Sequence, residues 1–535
     1  MSAAMPPTLD LTGDLPSPRT LTVADVEPLA AELAGYHAHF APLFKRSEQR
    51  HWAAVYLRGL LTADVPRKNV EAMVLRLLGA GPGAARRVRA LPQFVGEGRW
   101  DDAALLAAHQ QLVDQTLGED DGVLIIDGSD IPKRGTHSAG VARQWCGATG
   151  KTDNCQAGVY LGYASRRGYT LLDRRLYLHA CWFTEQYRAR WAACAIPAGT
   201  PFRTKSVLAA EMVETVVAEQ RVRARWVVGD EWYGRDTALL DRLARTGLTY
   251  LLEVPRDTAV WPLVEPADGQ TPRARPRQGV PARAPSGKGR PRTKERLLPE
   301  SPLPLTVAAL AAQFAPAQWH RYRVREGAKG PLVADFAAVR AVAVRDGLPG
   351  PEVWVLLRRP VLPEEQASEP VEWKYFLSNA PVETLLTELV RVSGLRWPIE
   401  SCFEESKGEV GLDQYELRFW RGWHHHMTLV LLAHHFLVRL QQRLEAREGG
   451  LGRQHNPPRP RGNLPGRPTA GGTGHRTCGE HDDSAQSTAS AATASGGATA
   501  AAVRRGDRAR SAGVSTAAQG RGLPLAPSVQ APPAA

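Results

Sequence analysis

The chain has 535 residues, 43% hydrophobic and 23% charged, a size and balance that suit two to four globular units. Its 67 Lys and Arg against 55 Asp and Glu give a formal charge of +12, which points to a polyanionic partner, most simply nucleic acid. No run of about 18 apolar residues is present, excluding a membrane-spanning helix, and the N-terminus lacks the basic-then-apolar order of a secretory signal. The six Cys are scattered without a C-x-x-C pair, which argues against a disulfide framework or structural zinc and for a reducing cytoplasm.

Composition divides the chain in order. Residues 1–19 read as disordered. Residues 20–115 read as helical: HFAPLFKRSEQRHWAAVYLRGLL has apolar positions at helical spacing, and Asn69 is placed to cap NVEAMVLRLLGAG. Lys45, Arg46, Arg50, Arg67, Lys68, Arg86, Arg87 and Arg89 cluster here, either as a solvated helical face or as phosphate contacts. From about residue 120 the pattern changes to strands. VLIID (123–127), RWVVGD (225–230) and LTYLLEV (248–254) are short buried strands, and residues 154–178 alternate around a turn at 166–168. Helical patterns at 204–220 and 235–246 lie between them, so a mixed α/β sheet is expected.

Residues 262–305 interrupt this order. The stretch 271–296 holds nine Lys and Arg against one acid, Glu295, a net +8 in 26 residues. It reads as a flexible basic loop, either a plain linker or a segment lying on a phosphate backbone. Strand patterns resume in RAVAVRDG, VWVLLRR and WKYFLS, and a helical pattern covers 382–446. After residue 450 the 85 residues hold seven Val or Leu and no Ile, Met, Phe, Trp or Tyr, so disorder is expected. The abrupt change suggests a reading-frame shift.

Three acids stand out. Asp127 closes VLIID, with Asp130 three residues on; Asp230 closes RWVVGD; and Glu400 lies in a helical segment where Arg396, Glu404 and Lys407 share its face. Two carboxylates on rigid strand ends and a third on a helix suit a site for two Mg2+ ions, which take hard oxygen ligands and serve phosphoryl transfer. Each element alone reads as a turn residue, a helix cap or a surface ion pair. His424, His425, His426, His434 and His435 read as helix-surface or DNA-facing residues rather than metal ligands. Trp232 and Tyr233 either stack on an unpaired base or pack under the site, and Arg143 and Gln144 either touch DNA backbone or support the first acid.

The strings IIDGSDIPKRGTHSAGVARQWCG, NCQAGVYLGYA, VVGDEWYGRD and FEESKGEVGLDQYELRFWRGWHHHMTLVLLAHHFL make the chain resemble bacterial insertion-sequence transposases of the DDE superfamily. The resemblance covers roughly residues 35–445. It falls in the branch with Arg-x3-Glu-x6-Lys, here Arg396, Glu400 and Lys407. It implies a ribonuclease-H-like mixed sheet with flanking helices, in two parts: residues 116–254, and a C-terminal helical part at 381–446. A β-rich insertion at 255–380 separates them, a helical DNA-binding region at 20–115 precedes, and a basic tail at 447–535 follows. Asp127, Asp230 and Glu400 would be the catalytic metal-binding triad for two Mg2+ ions, with Mn2+ as substitute. Arg396, Lys407, Lys133, Arg134 and Arg143 would contact phosphate. The sequence departs from the branch at Ser393, often Tyr, and at Gly128, often a second acid, so Asp130 stands as a substitute for Asp127. The implied activity is cut-and-paste transposition on double-stranded DNA, terminal inverted repeats and target. It would be carried out by a homodimer in the bacterial cytoplasm, at the nucleoid, with no membrane partner. A related nuclease that does not join strands, or an impaired DNA-binding remnant, are the alternatives.

Overall fold

Apolar residues on both sides of VLIID and WVVG require a sheet covered on two faces, and the computed structural model builds one. It describes residues 9–10, 29–63, 65, 67–263, 297, 301–327, 330–361 and 373–449. The expectations for 1–8 and 11–28, for the basic stretch 271–296 and for the tail after 450 fall outside these residues.

A short strand β1 (Leu9–Asp10) is followed by five helices, α1 (Leu29–Phe40), α2 (Ser47–Leu60), α3 (Val70–Leu78), α4 (Ala84–Gly96) and α5 (Asp102–Leu117). Asn69 caps α3 as expected, its side chain accepting from the Ala72 amide at 2.8 Å. The basic cluster divides. Lys68 is buried and donates to the Thr62 carbonyl, and Arg50 donates to the Phe44 carbonyl at 3.0 Å. Arg87 donates to the Leu78 and Gly79 carbonyls that end α3. Lys45, Arg46, Arg86 and Arg89 face solvent.

Next come β2 (Val123–Pro132), β3 (Ala142–Cys146), β4 (Lys151–Ser165) and β5 (Gly168–Tyr177), then α6 (Arg188–Ala193) and α7 (Lys205–Ala218). β4 and β5 meet at Ser165 and Gly168 across the turn read in the sequence. The chain continues through β6 (Trp226–Gly229), α8 (Glu231–Gly234), α9 (Thr237–Arg245), β7 (Thr249–Val254), β8 (Ala259–Pro262), β9 (Leu305–Thr306) and α10 (Val307–Ala311). It ends with β10 (His320–Gly327), β11 (Gly330–Arg345), β12 (Leu348–Pro360), β13 (Lys374–Ser378), α11 (Leu386–Gly394), α12 (Pro398–Gly408) and α13 (Trp420–Gly449).

One mixed sheet runs β1-β10-β11-β12-β13-β7-β6-β2-β4-β3, with β5 also on β4. Its β5-β4-β2-β6-β7 portion, antiparallel up to β2 and parallel from β2 to β7, is the ribonuclease-H-like part. The strands between the second and third acids pair edge to edge with it through β13 and β7. Side chains alternate between two cores. Leu124, Ile126, Val227 and Leu252 pack against α7 and α9, whereas Val123, Ile125, Val228 and Leu251 face the side of Ile399, Phe403 and Trp423 on α12 and α13.

The helical pattern at 382–446 is three helices, broken by the Gly394–Pro398 junction and by the segment after Gly408, where Gly411 adopts φ +68°. The histidine reading is corrected: His425, His426, His434 and His435 are buried and His424 half-buried, because α2, α4, α5, α12 and β5 pack around this part of α13. His425 stacks on Trp100 with centroids 3.5 Å apart; His426 shares a 2.7 Å hydrogen bond with the Tyr56 hydroxyl; His434 meets Glu405 at 2.8 Å; and His435 meets Thr116 at 2.9 Å. Burial holds His425 down at about 4 and His426 at about 3, so both are neutral at pH 7.

Candidate active site

The parallel register decides where the first two acids go. Ile126 of β2 lies opposite Gly229 of β6, and Gly229 lies opposite Leu252 of β7. The next residues, Asp127, Asp230 and Glu253, therefore form one row across three adjacent parallel strands, just past the end of β6, near the end of β7 and midway along β2, which stays paired with β4 as far as Pro132, about 4.8 Å apart from strand to strand. Asp127 continues the face of Ile125, Asp230 that of Val228, and Glu253 that of Leu251. This is the face on which α12 packs, and α12 carries Glu400 in its first turn.

Each side chain is held. The Asp127 Oδ1 accepts from the Gly128 amide at 2.6 Å, and Asp230 caps α8, accepting from the Tyr233 amide at 3.1 Å. α8 sits close because Gly234 has no side chain: a Cβ there would stand 1.8 Å from the Glu253 carbonyl. Arg396, in the turn before α12, joins strand to helix. Its Nη1 donates to Asp127 Oδ2 at 3.3 Å and its Nη2 donates to Glu400 Oε1. Burial opposes the Arg396 charge, but Asp127 and Glu400, and after them Glu253 and Asp230, outweigh it and raise the Arg396 pKa. Burial, and then the neighbouring Asp230, push the Asp127 carboxyl up to about 7, with Glu400 adding to the rise and Arg396 opposing it.

Asp130 lies on the opposite face of β2. Its Oδ2 accepts from the Gly147 amide at 2.7 Å, and Lys205 stands 3.8 Å from its Oδ1. Lys133 sets its ammonium 3.7 Å from the centre of the Tyr415 ring, where burial lowers its pKa to about 8. Arg134 and Arg143 are exposed, and Gln144 is buried, donating to the Cys155 carbonyl at 3.2 Å rather than supporting Asp127. Lys407 lies seven residues from Glu400, two turns along α12. Tyr233 packs under the site, its buried hydroxyl without a hydrogen-bond partner and 3.9 Å from where a Cβ on Gly128 would lie. Trp232 is 43% exposed. Glu253, 7% exposed and 2.8 Å from the Lys374 ammonium, is the member of the row that sequence reasoning missed. Its signal was its place near the end of the apolar run LTYLLEV, which mirrors Asp127 and Asp230 at the ends of the runs VLIID and RWVVGD.

A mixed sheet with carboxylates in one row across adjacent parallel strands and a further carboxylate on the covering helix is a frame that suits a nuclease. The chain belongs to the DDE superfamily endonucleases, whose family model matches residues 39–331, a span that includes Asp127, Asp230 and Glu253 and ends before Glu400. It is accordingly an enzyme that acts on DNA. No curated protein matches the chain significantly. No described helix is long and apolar enough to cross a membrane. Nucleases of this superfamily usually use divalent metals. The donors here suit them, since all are carboxylate oxygens and their mutual repulsion on Asp127 is the charge that a dication would offset. Among the described residues no three His, Cys, Asp or Glu side chains are yet close enough together to hold one ion.

Proposed function

We propose that this chain is an insertion-sequence transposase of the Arg-x3-Glu-x6-Lys branch. It would cut transposon-end DNA and join the freed 3′-hydroxyl to target DNA in a Mg2+-dependent, cut-and-paste reaction. The observation that carries this reading is the double grip of Arg396 on Asp127 and Glu400, which ties the third acid to the row that holds Asp230. Asp127, Asp230 and Glu400 would hold two Mg2+ ions, which supply charge neutralisation at the attacking and leaving oxygens. Arg396 and Lys407 offer their donors to the non-bridging phosphate oxygens, the guanidinium as a fork and the ammonium as a point charge. Asp127 is preferred to Asp130 because it shares the face of Asp230 and Glu400, whereas Asp130 is held on the other face by Gly147 and Lys205. The bacterial origin, the inverted repeats as substrate and the dimer on DNA belong to this proposal.

The test uses a duplex that carries the inverted repeats flanking the gene, pre-cleaved at the transposon end, with a target plasmid. Joined product in Mg2+ supports the transposase. Cutting of the uncleaved duplex with no joining under the same conditions assigns the protein to the nucleases that do not transfer strands.

A further inference from the structure

The hairpin of β3 and β4 stands away from the row of acids but shares its face of the sheet. Tyr160 of β4 lies opposite Asp127, and Thr152, eight residues along β4 toward the hairpin tip, lies opposite Trp145 of β3. An even separation keeps Thr152 and Trp145 on the Asp127 face. At ~3.3 Å per residue the indole stands about 26 Å from the row, the length of about eight base pairs at ~3.4 Å each.

β3 alternates strictly: Ala142, Gln144 and Cys146 are buried, whereas Arg143 and Trp145 face solvent. Trp145 is 64% exposed, more than any other Trp of the chain, and its ring has no aromatic, cationic or hydrogen-bonding partner among the described residues. Trp carries a large apolar area and is a residue that anchors interfaces. The hairpin that presents it is fixed to β2 and the segment after it. Asp130 accepts from the Gly147 amide at 2.7 Å, and the Asn154 side-chain amide donates to the Lys133 carbonyl and, at 3.0 Å, to the Gly135 carbonyl. Charge selects what covers the indole. Residues 133–154 hold Lys133, Arg134, Arg143 and Lys151 against one acid, Asp153. Lys133 is engaged by the Tyr415 ring. Arg134, Arg143 and Lys151 are exposed and make no ion pair among the described residues. Asp153 lies opposite Gln144, on the other face.

We propose that the β3–β4 hairpin is a DNA-binding arm that lies in the major groove of the substrate duplex about eight base pairs from the cut, with Trp145 against the base edges and Arg143 and Lys151 on the flanking phosphates. This rests on the DNA-cutting role of the row of acids. Two paired strands ~4.8 Å apart fit a groove ~12 Å wide, where an apolar side chain can meet a thymine methyl group. Arm and carboxylates share one face, so a single duplex can touch both at once. The arm would thereby set the grip and the register of the duplex over the carboxylates.

The test follows binding of fluorescent duplexes centred on the transposon end by the full-length protein. Wild-type affinity should rise at least fivefold as the duplex is lengthened, on one side of the cut, from about five to about ten base pairs, the step that brings DNA under the arm. The rise should be absent in Trp145→Ala. On the longer duplex Trp145→Ala should keep the wild-type slope of log K on log salt, since it removes no charge. Arg143→Gln combined with Lys151→Gln should lower that slope by about 1.8, two phosphate contacts at ~0.9 each. An equal rise in Trp145→Ala, or an unchanged slope in the double variant, would overturn the arm and leave the DNA-cutting reading standing. Sedimentation without DNA covers the other occupant: a protein whose mass is lower in Trp145→Ala than in wild type would show that the indole packs on a second copy, and would overturn the assignment to DNA. A wild type that shows no salt-dependent binding of either duplex would refute the DNA-cutting reading itself, and the arm with it.

Discussion

Asp127→Asn should make the protein more stable while stopping cleavage, and the gain should depend on pH in one direction. The folded carboxyl is raised to about 7 from its ordinary value of 3.8, chiefly by burial and by Asp230. Between those values the folded state holds a proton that the unfolded state has released. Stability therefore falls as pH rises, by about 1.36 kcal/mol per pH unit. Over the two units from pH 5 to pH 7 the wild type should lose about 2.7 kcal/mol that the amide variant keeps, and above pH 7 the difference should level off. The buried histidines act oppositely: His109, His425 and His426 are held below 6.5, so they favour stability as pH rises from 4 to 6.5. They are common to both proteins and cancel in the difference. Urea unfolding of both proteins in EDTA at pH 5 and pH 8 measures it. A difference that stays within about 0.5 kcal/mol between the two pH values would refute the crowding of Asp127 by its neighbours.

Glu400→Gln should abolish Mg2+-dependent cleavage while DNA binding, read by anisotropy in Ca2+, stays within about threefold, a change of ~0.6 kcal/mol; retained cleavage would show the third acid to be elsewhere. Gly234→Ala places a methyl group 1.8 Å from the Glu253 carbonyl. It should cost about 3 kcal/mol in urea unfolding, at the upper end of overpacking effects, and displace Asp230; an unaltered midpoint would show that α8 shifts freely. His425→Ala removes a ring stacked on Trp100 and leaves the carbonyls of Val95 and Trp100 without it. A loss of about 3 kcal/mol is expected with no change in Mn2+ binding, whereas weakened Mn2+ binding would show that this histidine does serve the metal site.

The parts of the site that rest on local pattern were legible in the chain. A short apolar run ended by an acid specifies a buried strand with a carboxylate at the edge of its apolar stretch; Asp230 does follow directly on β6, whereas β2 continues past Asp127 to Pro132. The turn between Ser165 and Gly168 and the Asn69 cap are equally local. Glu253 escaped because its importance is a matter of register: only the pairing of Leu252 with Gly229 puts it in line with Asp230. The histidines were misjudged for a related reason. Consecutive His residues point to different sides of a helix, but His426, His435 and His434 find partners far away in sequence, Tyr56 on α2, Thr116 on α5 and Thr170 on β5, so the rings can be buried on more than one side. The breaks in the last helical segment were marked by Gly394, Pro398, Gly408 and Gly411, yet the strong apolar periodicity on either side masked them.

The three acids proposed for the metal site are not held alike. Asp127 and Asp230 take their positions from backbone that cannot move without unpairing strands, and both are tethered by main-chain amides. Glu400 stands on a helix whose neighbours Ile399 and Cys402 are fully buried, with Ile399 closing to 3.2 Å on the position a Cβ of Gly162 would take. Its own side chain is 54% exposed and, among the described residues, is held by Arg396 alone. A fixed helix with a swinging carboxylate lets the third ligand adjust while the first two set the geometry. Because the guanidinium that restrains Glu400 also grips Asp127, any phosphate that draws Arg396 away would release both carboxylates at once. Arrival of the substrate and completion of the carboxylate set would then be a single event.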